Sequence, residues 1–290
     1  MRKIDKAFCH LNLETEKGSG RIKGWAKPVK NEEIINSNPM KVQTYDELVG
    51  LVARILHYNR QFVIFYRGQG RDYKNDKGQT LIPPSIFRVN KGGKPRQLKG
   101  RFDILKRKSE ELIKVFGTAK ITFAGTRMVN RYPEIAWALL QHYEKCDTPL
   151  ADLTHSLHVA CSFAFDESAE NAGNMGIVYV LGMPWQNDAI GYNSFEELVN
   201  LRLLNVCPPS AQRPFFQEGY LAGPFPNYKL DDPNRSNQFD FSKRLIAKFE
   251  IPNNDSFWGE GFGRIRHEKL YQVDDKILKL LEPIKPEFLR

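Results

Sequence analysis

Apolar residues recur along this chain with two periods, and each period marks its own kind of element. Thr44-Tyr-Asp-Glu47 is a capping box, and behind it Leu48, Leu51, Val52, Ile55 and Leu56 follow at helical spacing. This predicts a helix from about Tyr45 to Tyr58 with one face inward. Phe62 to Tyr66, β-branched and aromatic, reads as a buried strand. Further helices are expected from about Phe102 to Phe116, Ala136 to Tyr143 and Leu157 to Phe165, the last with small residues on a packed face. Met175 to Leu181 reads as a strand, and Ser194-Phe-Glu-Glu197 as a second capping box that opens a helix toward Leu204. Arg244 to Ile251 alternates, which predicts a strand with one wet face. Asp274 to Leu281 reads as a short helix closed by Pro283. Helices and strands interleave without a βαβ rhythm, so the expected class is α+β rather than a doubly wound sheet. The first forty residues are polar and rich in Gly and Lys, with isolated aromatics such as Trp25, and read as an extension or short hairpin rather than a core element.

Composition narrows the class. The 290 residues are 41% hydrophobic and 12% aromatic, enough for a sizeable core and against disordered, collagen-like or coiled-coil chains. No run approaches the ~20 apolar residues that span a bilayer, and the first residues lack a signal-peptide apolar core, so a cytoplasmic protein is expected. Cys9, Cys146, Cys161 and Cys207 are scattered without metal-ligand spacing, as expected for reduced, buried thiols. No HExxH, paired histidines or carboxylate cluster points to a metal, and no P-loop or GxGxxG occurs.

Charge adds a partner class. The formal net charge is +9, and between Arg88 and Lys108 nine basic residues stand against one acid, Asp103, a net +8. Lys91, Lys94, Arg96, Lys99, Arg101, Lys106 and Arg107 are the candidate contacts to a nucleic acid within that stretch. A solvated loop followed by an ordinary helix face explains the same run.

Three clusters carry candidate chemistry. Tyr66-Arg67-Gly68-Gln69 puts an arginine just past a buried strand, where its fork can take a phosphate and the glycine lets a ligand approach. Leu81-Ile-Pro-Pro-Ser-Ile-Phe-Arg88 follows it. Gln141-His142-Tyr143 and Thr148 to Ser156 gather His, Asp, Thr and Ser in a loop ahead of the small-residue helix. His142 also fits a satisfied, partly buried histidine, and Asp152 or Thr154 a helix cap. Arg213-Pro-Phe-Phe-Gln217-Glu218-Gly219 offers Gln217 or Glu218 to a ribose hydroxyl or an oxocarbenium ion, and equally fits a plain turn into a strand.

Taken together, YRGQ at 66–69, LIPPSIFR at 81–88, QHYEKCDTPLADLT at 141–154 and RPFFQEG at 213–219 resemble the FRG-domain family, in its order, over about residues 45 to 252. The chain departs from the family pattern at Glu144 (a glycine there), Pro149 (an arginine) and Leu153 (a tryptophan). The blocks also resemble, more loosely, those of ADP-ribosyltransferases, with Val159-Ala-Cys-Ser-Phe163-Ala164 as the helix of the second block. The resemblance implies a split mixed or antiparallel β core with surrounding helices and an NAD-type cleft. It also implies an extension over 1–43, the domain itself over 44–252, and a segment over 253–290 packed on that domain.

It implies further that NAD is the substrate, with no metal, and that Arg67, Gln217, Glu218 and Thr154 are catalytic. Tyr66, Arg67, Gly68, Gln69, His142, Tyr143, Asp152 and Ser156 would line the cofactor site. The expected activity is ADP-ribosyl transfer to RNA or DNA by an intracellular toxin or phage-defence effector, held by a neutralising antitoxin protein. A catalytically inactive module that binds a nucleotide or a partner protein, and a purely structural interaction protein, are the alternatives.

Overall fold

A computed structural model describes residues 1–14, 27–88, 97–119, 122–165, 174–186, 188–225, 229–232 and 239–289. The strands are β1 (Lys6–Ala7), β2 (Val29–Lys30), β3 (Met40–Lys41), β4 (Val63–Gln69), β5 (Ala151–Thr154), β6 (Met175–Met183), β7 (Ile190–Asn193), β8 (Leu198–Arg202), β9 (Gly219–Pro224) and β10 (Leu245–Pro252). The helices of the first half are α1 (His10–Glu14), α2 (Asn31–Asn36), α3 (Tyr45–Tyr58), α4 (Leu98–Thr118), α5 (Ala124–Met128) and α6 (Pro133–His142). Those of the second are α7 (Leu157–Phe163), α8 (Leu203–Val206), α9 (Gln212–Phe216), α10 (Asp255–Trp258), α11 (His267–Leu270) and α12 (Lys276–Leu280).

Eight strands form one sheet in the order β3-β10-β6-β4-β5-β9-β8-β7, antiparallel except for β3 on β10. The class is α+β, as the mixed periodicity predicts. The sheet is continuous in two halves. β4 pairs with β6 along seven residues, and β5 with β9 along four. Between β4 and β5 the register holds one pair alone, Tyr66 with Thr154. Beyond it the strands part, and that parting positions the site. One apolar core, with Phe65, Tyr179, Phe249 and Ile55, lies on the β10-β6-β4 half, and a second, with Leu105, Leu139, Leu203 and Ile277, lies under β8 and β9 against α4, α6 and α12.

The strongest local signals hold. Thr44 Oγ1 accepts the Glu47 amide and Glu47 Oε2 the Gln43 amide, so α3 starts where the capping box places it, a gain of about 1 kcal/mol.

Elsewhere the chain departs from the sequence pattern. Arg67 lies within β4, not past its end, because Arg67, Gly68 and Gln69 continue the pairing with Tyr179, Val178 and Ile177. Asp152 and Thr154 lie in β5 rather than a loop, and the cap of α7 is Ser156, whose hydroxyl accepts the Val159 amide. Ser194 to Glu197 turns a hairpin between β7 and β8 instead of opening a helix. The Asn193 side chain takes the Glu196 amide there, while Leu198, Val199 and Leu201 are buried between neighbours on both sides. β10 has no wet face. Lys248 is fully enclosed and donates to Ser37 O (2.5 Å) and Thr80 Oγ1 (2.7 Å), with Asp72 at 3.5 Å. Residues 1–14 also correct the pattern. Met1, Ile4, Phe8 and Leu13 belong to the first core, although β1 and β2 do pair antiparallel. Trp25 lies outside the described residues.

Candidate functional site

The parting of β4 from β5 opens a cavity of about 570 Å³. Arg67 bridges it near its base, donating from Nη1 to the backbone carbonyl of Asp152 at 2.6 Å. That bond takes the place of the ladder bonds the strands no longer make. Gly68 is fixed by packing rather than by a ligand: a Cβ there would sit 1.8 Å from the Ala160 carbonyl oxygen, because α7 lies directly on β4. The small-residue face of α7 is the sequence trace of this contact.

A single amide ties the motif blocks together. Gln141 Oε1 accepts the hydroxyls of Ser85 (2.8 Å) and Thr148 (3.0 Å), and Gln141 Nε2 donates to Asp152 Oδ2 (3.1 Å). The other carboxylate oxygen of Asp152 meets His142 Nδ1 at 3.2 Å. Burial works to raise Asp152, but the bond from His142, then the charge of Arg67 and the Gln141 amide, hold it below the usual carboxylate range. Burial in turn keeps His142 below its ordinary value, so the pair is a neutral imidazole donating from Nδ1 to a carboxylate.

Three arginines face the same space. Arg67 is drawn below its ordinary value by burial and then by Arg88, yet an arginine remains a cation there. The Arg88 guanidinium makes no hydrogen bond among the described residues. Arg213 donates to Glu144 Oε1 at 3.2 Å and lies 4.5 Å from the centre of the Tyr271 ring. Glu144 holds a left-handed backbone, φ +55°, which explains why a glycine is at home at this position. Four side-chain atoms of cavity residues are buried without a partner among the described residues: Arg67 Nε, Gln69 Oε1, His142 Nε2 and Arg213 Nε. Buried polar groups are seldom left so. Three cations with spare donors and a row of unmet polar atoms suit a phosphate-bearing ligand.

The sequence-predicted residues separate into those the cavity gathers and those it does not. Tyr66, Arg67, Gly68, Gln69, His142, Asp152, Thr154 and Gln217 all line it. Gln217 donates one amide N–H to Leu270 O at 2.9 Å, which leaves its oxygen and its second N–H for a ligand. Glu218 is exposed at a left-handed turn, φ +44°, off the cavity wall. Ser156 is spent on its helix cap, and Tyr143 is buried with its hydroxyl on Asp275 (3.1 Å). Arg88, Ser85 and Gln141 stand inside the quoted motif blocks, which was the available signal for them. Arg213 opens the last block, whereas Tyr271 and Phe288 reach the cavity from a region without a motif.

The thiols and the basic stretch come out differently. All four cysteines are free and buried, and burial pushes the Cys146 thiol on the cavity wall up to about 12, out of reach as a nucleophile. Of the basic stretch, Arg101 is buried and donates to backbone carbonyls of Ile86 and Arg88, and Arg107 is bonded to Glu287 at 2.5 Å. Arg101 is thereby a structural cation, whereas Arg107 stays exposed beside its carboxylate partner. Lys99 and Lys106 are exposed on α4, while Lys91, Lys94 and Arg96 lie outside the described residues. Among the described residues, no three His, Cys, Asp or Glu side chains converge as metal ligands would, and no helix is long and apolar enough to cross a membrane.

A mixed sheet that parts over a cavity lined by Arg67, Arg88 and Arg213 defines an α+β protein. Residues 63–173 match the profile of the FRG domain. No curated protein and no solved structure matches the chain.

Proposed function

We propose that the cavity binds NAD and that the protein transfers ADP-ribose from it. The observation that carries this reading is the convergence of Arg67, Arg88 and Arg213 on one cavity beside the ionised carboxylate of Asp152. Its volume lies within the ~300–1,000 Å³ of sites for small molecules and cofactors. The arginines take the diphosphate, two forks matching two phosphates. Breaking the C1′–N bond sends the electron pair out with nicotinamide and leaves positive charge on the ribose, and the fixed Asp152 carboxylate stabilises that charge. The acceptor forms the new bond at C1′ and gives its proton to Asp152. This assignment moves the carboxylate role from Glu218, which faces solvent, to Asp152. A polyanionic acceptor such as RNA or DNA is accommodated along α4 through Lys99 and Lys106.

A second reading, a nucleotide-binding module without turnover, is favoured by the two oxygens of Asp152, each already bonded within the protein. Labelled NAD separates the two. Transfer predicts nicotinamide release and labelling by the wild type. Arg88→Ala should then weaken NAD binding at least about tenfold, and Asp152→Asn should bind NAD without turnover. Binding with no release under any acceptor supports the module. No NAD binding by calorimetry overturns both.

A further inference from the structure

Phe288 lies far outside the FRG match, yet it forms part of the cavity wall. The segment that carries it is held at several points. The Glu287 amide donates to Lys145 O at 2.8 Å, and the Glu287 carboxylate takes Arg107 at 2.5 Å and lies 3.7 Å from Lys108. Arg101 sends Nη2 to Leu289 O at 3.4 Å, and the same guanidinium sends Nη1 to Ile86 O and Arg88 O, each at 3.0 Å. One buried cation therefore clamps the backbones at Arg88 and Leu289 together, and Arg88 and Phe288 both line the cavity.

That scaffolding does not serve packing of the ring itself, since Phe288 remains 45% exposed. The other comparably exposed ring on the cavity, Tyr73, has the Arg71 guanidinium 4.6 Å from its centre. Phe288 has neither a ring nor a guanidinium on its face among the described residues. An aromatic face left open beside a guanidinium without hydrogen bonds is suited to an aromatic ring that carries a phosphate: base stacking on an aromatic side chain contributes ~1–3 kcal/mol.

We propose that Phe288 and Arg88 form the nucleobase subsite of this cavity, with the base stacked on Phe288 and the adjacent phosphate on Arg88. The assignment rests on the cavity's being a nucleotide site. Arg101, Arg107 and Lys108 are then positioning residues that hold the stacking ring in place, which accounts for much of the charge concentrated in their stretch. The subsite selects for ligands with a base over the bare diphosphate.

The test compares ADP with inorganic pyrophosphate by calorimetry on the full chain. Wild type should bind both, with ADP the tighter. Phe288→Ala should weaken ADP about tenfold or more and leave pyrophosphate unchanged, and Phe288→Trp should restore ADP binding. Thermal melts establish that each variant is folded. Equal ADP affinity in wild type and Phe288→Ala, or an equal loss for both ligands, overturns the subsite while leaving the cavity reading intact. Pyrophosphate binding without ADP binding by the wild type also overturns it. Binding of neither ligand overturns the cavity reading and the subsite with it.

Discussion

Arg67 on β4 donates a 2.6 Å hydrogen bond to the backbone carbonyl of Asp152 on β5, across the place where the two strands cease to pair. One side chain thus closes the base of the cavity and offers its remaining N–H groups to it. Lysine keeps the charge but not the fork, so Arg67→Lys should lower affinity for a phosphate ligand about ten- to a hundredfold. Calorimetry with ADP reads this directly, and an unchanged affinity would remove Arg67 from the site.

Gly68 tests the packing beneath. With 1.8 Å between a Cβ and the Ala160 carbonyl oxygen, Gly68→Ala must push α7 off the sheet. A loss of about 3 kcal/mol or more is expected in urea unfolding. A loss under 1 kcal/mol would mean that α7 shifts freely.

Glu144→Gly has the opposite sign. It relieves a left-handed glutamate, for a gain of about 1 kcal/mol, and releases Arg213 from its carboxylate partner. The variant should unfold at higher denaturant and bind pyrophosphate several-fold more tightly. Loss of stability would show that the Arg213 pair outweighs the strain.

Acid should destabilise the fold through buried histidines. Burial first, and then Lys248, holds His10 down to about 4, while its Nε2 contacts Ser37 and Asn38 O. Between that value and ~6.5 the unfolded chain binds a proton that the folded chain does not, so stability falls as pH falls, by about 3 kcal/mol by pH 4. His142 and His155, also lowered by burial, add in the same direction. Urea midpoints at pH 7, 6 and 5 should decline, and His10→Gln should flatten the slope. A midpoint that rises toward pH 5 would reverse this account.

The exposed lysines of α4 test the acceptor surface. Lys99→Ala with Lys106→Ala should weaken RNA or DNA binding and reduce the magnitude of its salt slope by nearly two, with ADP affinity unchanged. Unchanged nucleic-acid binding would place the acceptor elsewhere.

Local chemistry made much of the fold legible. Thr44 and Glu47 fix the start of α3, and the apolar run at Met175 reveals β6, because both signals act within a few residues. What stayed hidden depends on distant partners. Lys248 is buried only because Asp72, Thr80 and Ser37 converge on it. Ser194 and Glu197 have the spacing of a capping box, but strand neighbours on both sides of β8 outweigh it. At the site, Arg67, His142 and Asp152 were visible from their motif blocks. Phe288 had no local signal, since its place is set by Arg101 far earlier in the chain.

The segment that matches the FRG profile is not a folding unit by itself. A fragment limited to residues 63–173 would keep β4 and β5 but lose β6 and β9, the strands that pair along them. Both would then be near-bare edges with apolar faces uncovered, a state that aggregates rather than folds. The recognisable sequence is therefore one wall of a cavity whose opposite wall lies outside it, in Arg213, Tyr271 and Phe288.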